Sequence, residues 1–131
     1  EYQEQVKEGG QKILVIDDEP QVLQQIQDFL GRKDHQVTTV RSGDDALRAV
    51  LDGGFDVVLT DVRMPGMDGV TVMHEIQRLR PGLPVVMMSG HTDVVADEMI
   101  AEGASAWVDK PFTDPDKVIQ TLLSVTAKSG R

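Results

Sequence analysis

The chain predicts an α/β fold: a doubly wound, five-stranded parallel sheet with five helices covering its two faces. Three observations predict it. Short apolar runs alternate with amphipathic helical patterns five times over, and strand–helix alternation of this kind builds parallel sheets. The runs at 13–16, 57–59 and 85–88 are apolar without a break, as strands buried on both faces must be. The links between runs and helical patterns are a few residues long, and right-handed crossovers then leave few topologies.

Residues 1–11 are polar, contain Gly9-Gly10 and read as a flexible lead-in or linker. Lys12-Ile13-Leu14-Val15-Ile16 is the first strand and stops on Asp17-Asp18. Glu19-Pro20 opens the first helix, because proline is tolerated at the first helical position and acids favour that end. Val22, Leu23, Ile26, Phe29 and Leu30 form its apolar stripe, and Gly31 is expected to end it. Gln36–Val40, with β-branched Val37, Thr38, Thr39 and Val40, is the second strand. Ser42 caps the next helix, which turns Ala46, Leu47, Val50 and Leu51 inward before Gly53-Gly54 stops it. Val57 to Leu59 form the third strand, ending on Asp61 and followed by a turn with Pro65, Gly66 and Gly69. Val70, Met73, Ile76 and Leu79 then define a helix closed by Arg80-Pro81-Gly82.

Pro84 to Met88 is the fourth strand and ends on Ser89-Gly90. Asp93 starts a helix with Val95, Met99 and Ile100 inward and Gly103 at its close. Ala104 to Asp109 is the fifth strand, followed by Lys110-Pro111-Phe112. The last helix, Asp114 to Ala127, carries Val118, Ile119, Leu122, Leu123 and Val125 on its apolar side. One domain is thus expected over 12–127, with a polar tail over 128–131.

Bulk properties narrow the function. A chain of 131 residues, 40% hydrophobic and 27% charged, suits a single globular domain with a real core. No apolar run approaches the roughly 20 residues that span a bilayer, so no membrane insertion is expected. The first five residues are polar and acidic, unlike a secretion signal. With no cysteine there is no disulfide framework and no thiolate site, which fits a cytoplasmic location. The formal net charge of -9 and the scattered Lys and Arg argue against direct nucleic-acid binding, which needs clustered cations. His35, His74 and His91 have no ligand spacing and read as surface residues. The six methionines read mostly as core.

Parallel strands place all their carboxyl ends on one edge, where α/β sheets bind ligands. That edge collects Asp17 and Asp18 from the first strand, Asp61 from the third, Ser89 from the fourth and Lys110 from the fifth. Taken singly, each has an ordinary role as a cap, a turn residue or a solvated lysine. Together they make a site. Clustered carboxylates repel one another and raise one another's proton affinity, and a divalent cation relieves this. Oxygen ligands without His or Cys point to a hard ion such as Mg²⁺. A carboxylate can act as nucleophile toward a phosphoryl group, while a lysine and a hydroxyl pair with the phosphoryl oxygens.

At these motifs the sequence resembles the receiver domain of two-component response regulators, the chemotaxis-regulator-like family, from about Lys12 to Val125. The resemblance is carried by Asp17-Asp18-Glu19-Pro20, by Asp61 with Met64-Pro65-Gly66-Met67-Asp68-Gly69, by Ser89 and by Lys110-Pro111-Phe112. It implies a flavodoxin-like sheet of order 2-1-3-4-5; the order comes from the family and not from the sequence pattern. It also implies that Asp61 is the phosphoacceptor. Asp17 and Asp18 are the acidic pair for Mg²⁺, with Asp18 the more direct ligand, and Asp61 and the backbone carbonyl of Arg63 complete the protein ligands. Ser89 is the switch hydroxyl, Lys110 pairs with the phosphoryl group, and the Lys110–Pro111 peptide is commonly cis. Gly90 leaves room for the phosphoryl group. Arg63 and His91 stand where family members tune phosphoryl lifetime. Trp107 stands at the switch aromatic, a position more often Tyr or Phe.

The function implied is a phosphorylation-activated switch. A sensor histidine kinase or a histidine phosphotransfer protein would donate to Asp61. The surface of the fourth helix, fifth strand and fifth helix, around Val94, Val95, Trp107 and Lys117, would change its binding to a downstream protein or an attached effector domain. A phosphorylation-dependent homodimer is compatible with this. No turnover is expected beyond self-catalysed phosphoryl uptake and slow autodephosphorylation. A Mg²⁺-dependent aspartyl-phosphate phosphatase would want a second acid two residues after the nucleophile, where Arg63 stands. A non-phosphorylated pseudo-receiver would not need the full set of side chains present here. A flavin-type binder on the same sheet would meet an acidic rim that repels its phosphate.

Overall fold

The computed structural model describes residues 10–66, 68–90 and 96–129. Five parallel strands, β1 (Lys12–Ile16), β2 (Gln36–Val40), β3 (Val57–Asp61), β4 (Val85–Ser89) and β5 (Ala106–Asp109), lie in the order β2-β1-β3-β4-β5. The helices are α1 (Pro20–Gly31), α2 (Gly43–Asp52), α3 (Gly69–Leu79), α4 (Ala96–Glu102) and α5 (Pro115–Ser129).

Burial follows strand position. β3 and β4 are buried at every residue and β1 at all but Lys12, whereas the edge strands β2 and β5 are half open. Alternate residues of each central strand feed two separate cores. Ile13, Val15, Val57, Leu59, Val86 and Met88 pack under α1 and α5. Leu14, Ile16, Val58, Val85 and Met87 pack under α2 and α3, with half-buried Met99 of α4 and Trp107 at the margin.

The helix starts are written locally. Pro20 is the first residue of α1, the Ser42 hydroxyl accepts from the Asp45 N–H at 3.2 Å, and the Asp68 carboxylate accepts from the Thr71 N–H at 2.9 Å. Asp68 thus caps α3, a role its neighbouring turn residues obscured in the sequence.

Several expectations need correction. Leu51 and Ile100 are exposed, at 55% and 44%. Each lies one residue, about 100° of helix, beyond the residue that does face inward, Val50 or Met99. Gly31 is the last helical residue of α1 but not its left-handed terminator: Arg32 is still right-handed, and Asp34 takes the positive φ of 66°. β5 begins at Ala106, because Ala104 closes α4 through its N–H to the Met99 carbonyl. β4 runs one residue further than expected and includes Ser89. α5 continues through Ser129, so its backbone takes in part of the expected tail. His35 is half-buried, not superficial, because the chain entering β1 lies over it and the Gln11 N–H donates to its Nδ1 at 3.1 Å. Burial lowers its pKa, with Asp34 opposing. Met73, Met87 and Met88 are core, as expected.

Gly69 joins this fold to the edge where the strands end. Its N–H donates to the Val62 carbonyl at 2.8 Å, and a Cβ there would overlap the Asp61 carbonyl oxygen and crowd Val62 Cα at 2.9 Å. Backbone cannot yield as a flexible side chain can. Gly69→Ala is therefore expected to cost about 1–3 kcal/mol by overpacking, measured by urea denaturation. It should also displace the end of β3, seen as shifted amide signals at Asp61 and Val62; Gly66→Ala, with open space around it but a φ of +86°, should cost stability and leave those two signals in place.

Candidate functional site

The carboxyl ends of β1, β3, β4 and β5 meet at one edge of the sheet. Asp17 follows β1 directly, Asp61 ends β3, Ser89 ends β4, and Lys110 follows Asp109 of β5. Register aligns them: Asp61 pairs with Met88, and Ser89 with Asp109. Asp17 is fully buried, while Asp61 and Ser89 are 4% and 3% exposed. Asp18 is half-buried.

Asp17, Asp18 and Asp61 each place a carboxylate oxygen within 4.8 Å of the others. Asp17 does not cap α1. Its Oδ1 accepts from the Glu19 N–H at 2.9 Å, and its Oδ2 accepts from Lys110 Nζ at 2.8 Å. Asp18 is held by its backbone, whose carbonyl accepts from Arg41 at 3.1 Å. Lys110 Nζ also lies 3.4 Å from Glu19 Oε1 and 3.4 Å from Asp61 Oδ2.

Asp61 Oδ1 is buried and, among the described residues, has no hydrogen-bond partner. Burial pushes the Asp61 pKa above the ordinary carboxylate range, and the neighbouring charge of Asp17 pushes it further; Lys110 and the Arg63 N–H oppose this. The Lys110 pKa is raised, because its bond to Asp17 and the charges of Asp17 and Asp61 outweigh the burial that acts the other way. A buried oxygen with no donor, beside two further carboxylates, fits a hard cation bound through oxygen.

The lysine arrives on a braced loop. The Lys110–Pro111 peptide is cis. Phe112 then enters the core edge-on to Phe29 of α1, with ring centroids 6.0 Å apart. The resulting cleft, about 480 Å³, is lined by Asp18, Asp61, Arg63, Gly90 and Lys110, with Phe112 at its apolar end. Arg63 is exposed at the rim. At Gly90 a Cβ would stand 3.3 Å from the Lys110 carbonyl oxygen, so the strand end has little space for a side chain.

Trp107 is half-buried on the α3–α4 side, and its indole N–H donates to Asp109 Oδ1 at 2.7 Å. Lys117 shares a small cavity of about 150 Å³ with Trp107 and Asp109. His91, Val94 and Val95 lie outside the described residues, as do Met67 and Asp93, the expected start of the fourth helix. Three contacts escaped sequence reasoning. Glu19 opens a helix and belongs to the acidic motif by sequence, and the fold adds its contact with Lys110. Thr60 is fully buried, with its hydroxyl donating to the Asp61 carbonyl at 3.0 Å. Asp109, by sequence a strand end, accepts the Trp107 indole N–H. Adjacency to the acidic pair could have pointed to Glu19; nothing in the sequence distinguished the other two.

Comparison with known proteins agrees with this geometry. The family model for the response regulator receiver domain matches residues 13–123. The chain is 38% identical over 126 residues to the transcriptional regulatory protein ZraR of Salmonella typhimurium, covering 93% of this chain and 28% of that protein. It is 33% identical over 108 residues to the DNA-binding transcriptional regulator NtrC of Escherichia coli, covering 82% and 23%. The chain thus spans about a quarter of the length of these curated relatives. Among solved structures, NtrX from Brucella abortus in complex with ADP superposes with a TM-score of 0.86 at 32% identity, covering 92% of this chain and 28% of that one. A response regulator receiver domain protein from Clostridium thermocellum gives a TM-score of 0.84 at 31% identity, covering 92% and 97%. With the family-model match over most of its length, its sheet order and its acidic edge, the chain belongs to the response regulator receiver domain family.

Proposed function

We propose that this domain, spanning 12–127, is a phosphorylation-activated switch in which Asp61 accepts a phosphoryl group from a phosphohistidine. The observation that carries the reading is Asp61 itself: a buried carboxylate with one oxygen unpartnered among the described residues, set between an acidic pair and Lys110. An Asp61 oxygen attacks phosphorus, the P–N bond to the donor imidazole breaks, and its electron pair returns to that nitrogen. The donor is a sensor histidine kinase or a histidine phosphotransfer protein. No general base is needed once Asp61 is ionised.

Asp18, Asp61 and the Arg63 carbonyl are the residues to hold Mg²⁺. Asp17 acts more from behind, since both its oxygens are already engaged by Glu19 N–H and Lys110. The bound ion supplies neutralisation of charge on the acceptor and the transferring phosphoryl oxygens. Lys110 turns from Glu19 and Asp61 to a phosphoryl oxygen, and the Ser89 hydroxyl donates to another. Gly90 leaves the approach open. The response is read at the surface of α4, β5 and α5 by a protein partner or an attached effector domain.

Incubation with Mg²⁺ and acetyl phosphate should add one phosphoryl group by intact-mass spectrometry. Asp61→Asn should abolish the addition, and Lys110→Ala should slow it by at least about tenfold, as loss of a preorganised charge contact does. An unmodified wild-type mass under these conditions overturns the reading. Replacing Arg63 and His91 together with Ala should change the rate at which the phosphorylated mass decays.

Stability provides a separate check. A carboxyl whose folded pKa is raised contributes stability that is present below its unfolded pKa and lost as pH rises through the folded value. Without metal, Asp61→Asn should therefore melt higher than the wild type at pH 7, and the gap should close as pH falls into the ordinary carboxylate range. Mg²⁺ at a hundredfold over its Kd should add about 2.7 kcal/mol to the wild type. It should add much less to Asp61→Asn, as read by calorimetry.

A further inference from the structure

The quartet at the end of β4 and β5 carries an inference that rests on the Asp61 reading and adds a residue to it. Met87 pairs with Trp107, and Ser89 with Asp109. Residues two apart on a strand share a face, so all four side chains lie on the side of the sheet that α3 and α4 cover. Trp107 is half-buried there, and its indole N–H donates to the Asp109 carboxylate at 2.7 Å, short for a bond from nitrogen and in the range of a charge-assisted one. Asp109 stands between the two groups that would turn toward a phosphoryl oxygen: Ser89 is its partner across the ladder, and Lys110 is the next residue in the chain. The Lys110 N–H also donates to the Ser89 carbonyl at 3.1 Å, tying the two strand ends together beside Asp109.

We infer that Asp109 is a positioning residue whose carboxylate holds the Trp107 indole in the resting arrangement and releases it when Asp61 is phosphorylated. In this chain the aromatic has no hydroxyl, so its polar hold on the surrounding structure is the indole N–H, and Asp109 receives it. Movement of Ser89 and Lys110 toward the acceptor shifts the backbone on both sides of Asp109, and the added negative charge at the sheet edge disfavours the carboxylate's resting place. A bond made only in the resting state opposes activation. Removing it favours the activated arrangement and, by linkage, tightens binding of whatever stabilises that arrangement.

The full chain has one tryptophan, so an indole N–H gives one cross-peak in a ¹⁵N-labelled sample. The probe is Mg²⁺ with beryllium trifluoride, a phosphoryl mimic, with ¹⁹F signals reporting its binding. In the wild type the indole cross-peak should move upfield and exchange faster with solvent as the probe binds. Asp109→Ala should show that position without the probe and bind beryllofluoride about fivefold more tightly, the factor one net hydrogen bond supplies. Asp109→Asn keeps an acceptor oxygen and should restore most of the wild-type cross-peak and affinity, which a residue needed only for packing would not do. A cross-peak that stays in place while ¹⁹F reports bound probe overturns the Asp109 inference and leaves the Asp61 reading standing. Equal affinity of the wild type and Asp109→Ala also overturns it. Absence of any bound ¹⁹F signal in the wild type removes the Asp61 reading, and this inference with it.

Discussion

The site depends on one ammonium group holding buried carboxylates together. Lys110 lies 2.8 Å from Asp17 and 3.4 Å from both Glu19 and Asp61. Asp17 is wholly shielded from solvent and Asp61 nearly so. Removing carboxylates from water is costly, and a buried ion pair offsets that cost only when its geometry is good and the remaining lone pairs are met. Asp17 satisfies this condition, with one oxygen on the ammonium and the other on the Glu19 N–H. Asp61 does not: its contact with Lys110 is longer, and among the described residues one of its oxygens has no hydrogen-bond partner. The cost of burial is therefore unevenly shared, and it falls on Asp61. The upward pKa of Asp61 expresses the same imbalance.

The rest of the molecule keeps that ammonium in place. Lys110 has a flexible stem, so its position must be fixed by what flanks it. On one side β5 ends in register with β4, through Ser89 and Asp109. On the other, Phe112 is locked edge-on against Phe29 of the helix that follows the acidic pair. One aromatic contact thus braces the loop bearing the cation against the element that starts beside the anions. From the third direction, α3 sits directly on the end of β3 through Gly69.

Much of this was legible in the sequence because it rests on period and punctuation. The unbroken runs of β1, β3 and β4 identify strands covered on both sides, and the polar residue ending each run marks the edge where they gather. Ser42 announces the start of α2 through a side chain that can meet a backbone N–H three residues on. What was not legible depends on rotation and tertiary distance. Leu51 and Ile100 are apolar and lie within helices, but about 100° from the face that is covered, and hydrophobicity alone does not measure that angle. Gly31 resembles a terminator, yet the chain turns left-handed only at Asp34. Asp17 and Asp18 are equivalent as letters and only the resemblance sets Asp18 apart; the physical reason needs the fold, which makes Asp17 a fully engaged bracket for Lys110 and leaves Asp18 lining the cleft.

The two cores place the parts of the site on opposite sides of the sheet. Asp61 shares its strand face with Leu59, which packs under α1 and α5. Ser89 and Asp109 share theirs with Met87 and Trp107, on the side of α3 and α4. A phosphoryl group on Asp61 would therefore be sensed from the far face by groups reaching around the end of the sheet, where no strand intervenes. At that edge the hydrogen-bonded layer that separates the two cores comes to an end. A phosphoryl group held on the α1–α5 side would thus be linked to the α3–α4 side through Ser89 and Asp109, the last ladder pair of β4 and β5, and through the Lys110 N–H that donates to the Ser89 carbonyl. The close-packed strands behind that edge act as a fixed partition between the two cores, so a change made at the edge would be confined to the strand ends and the loops that leave them.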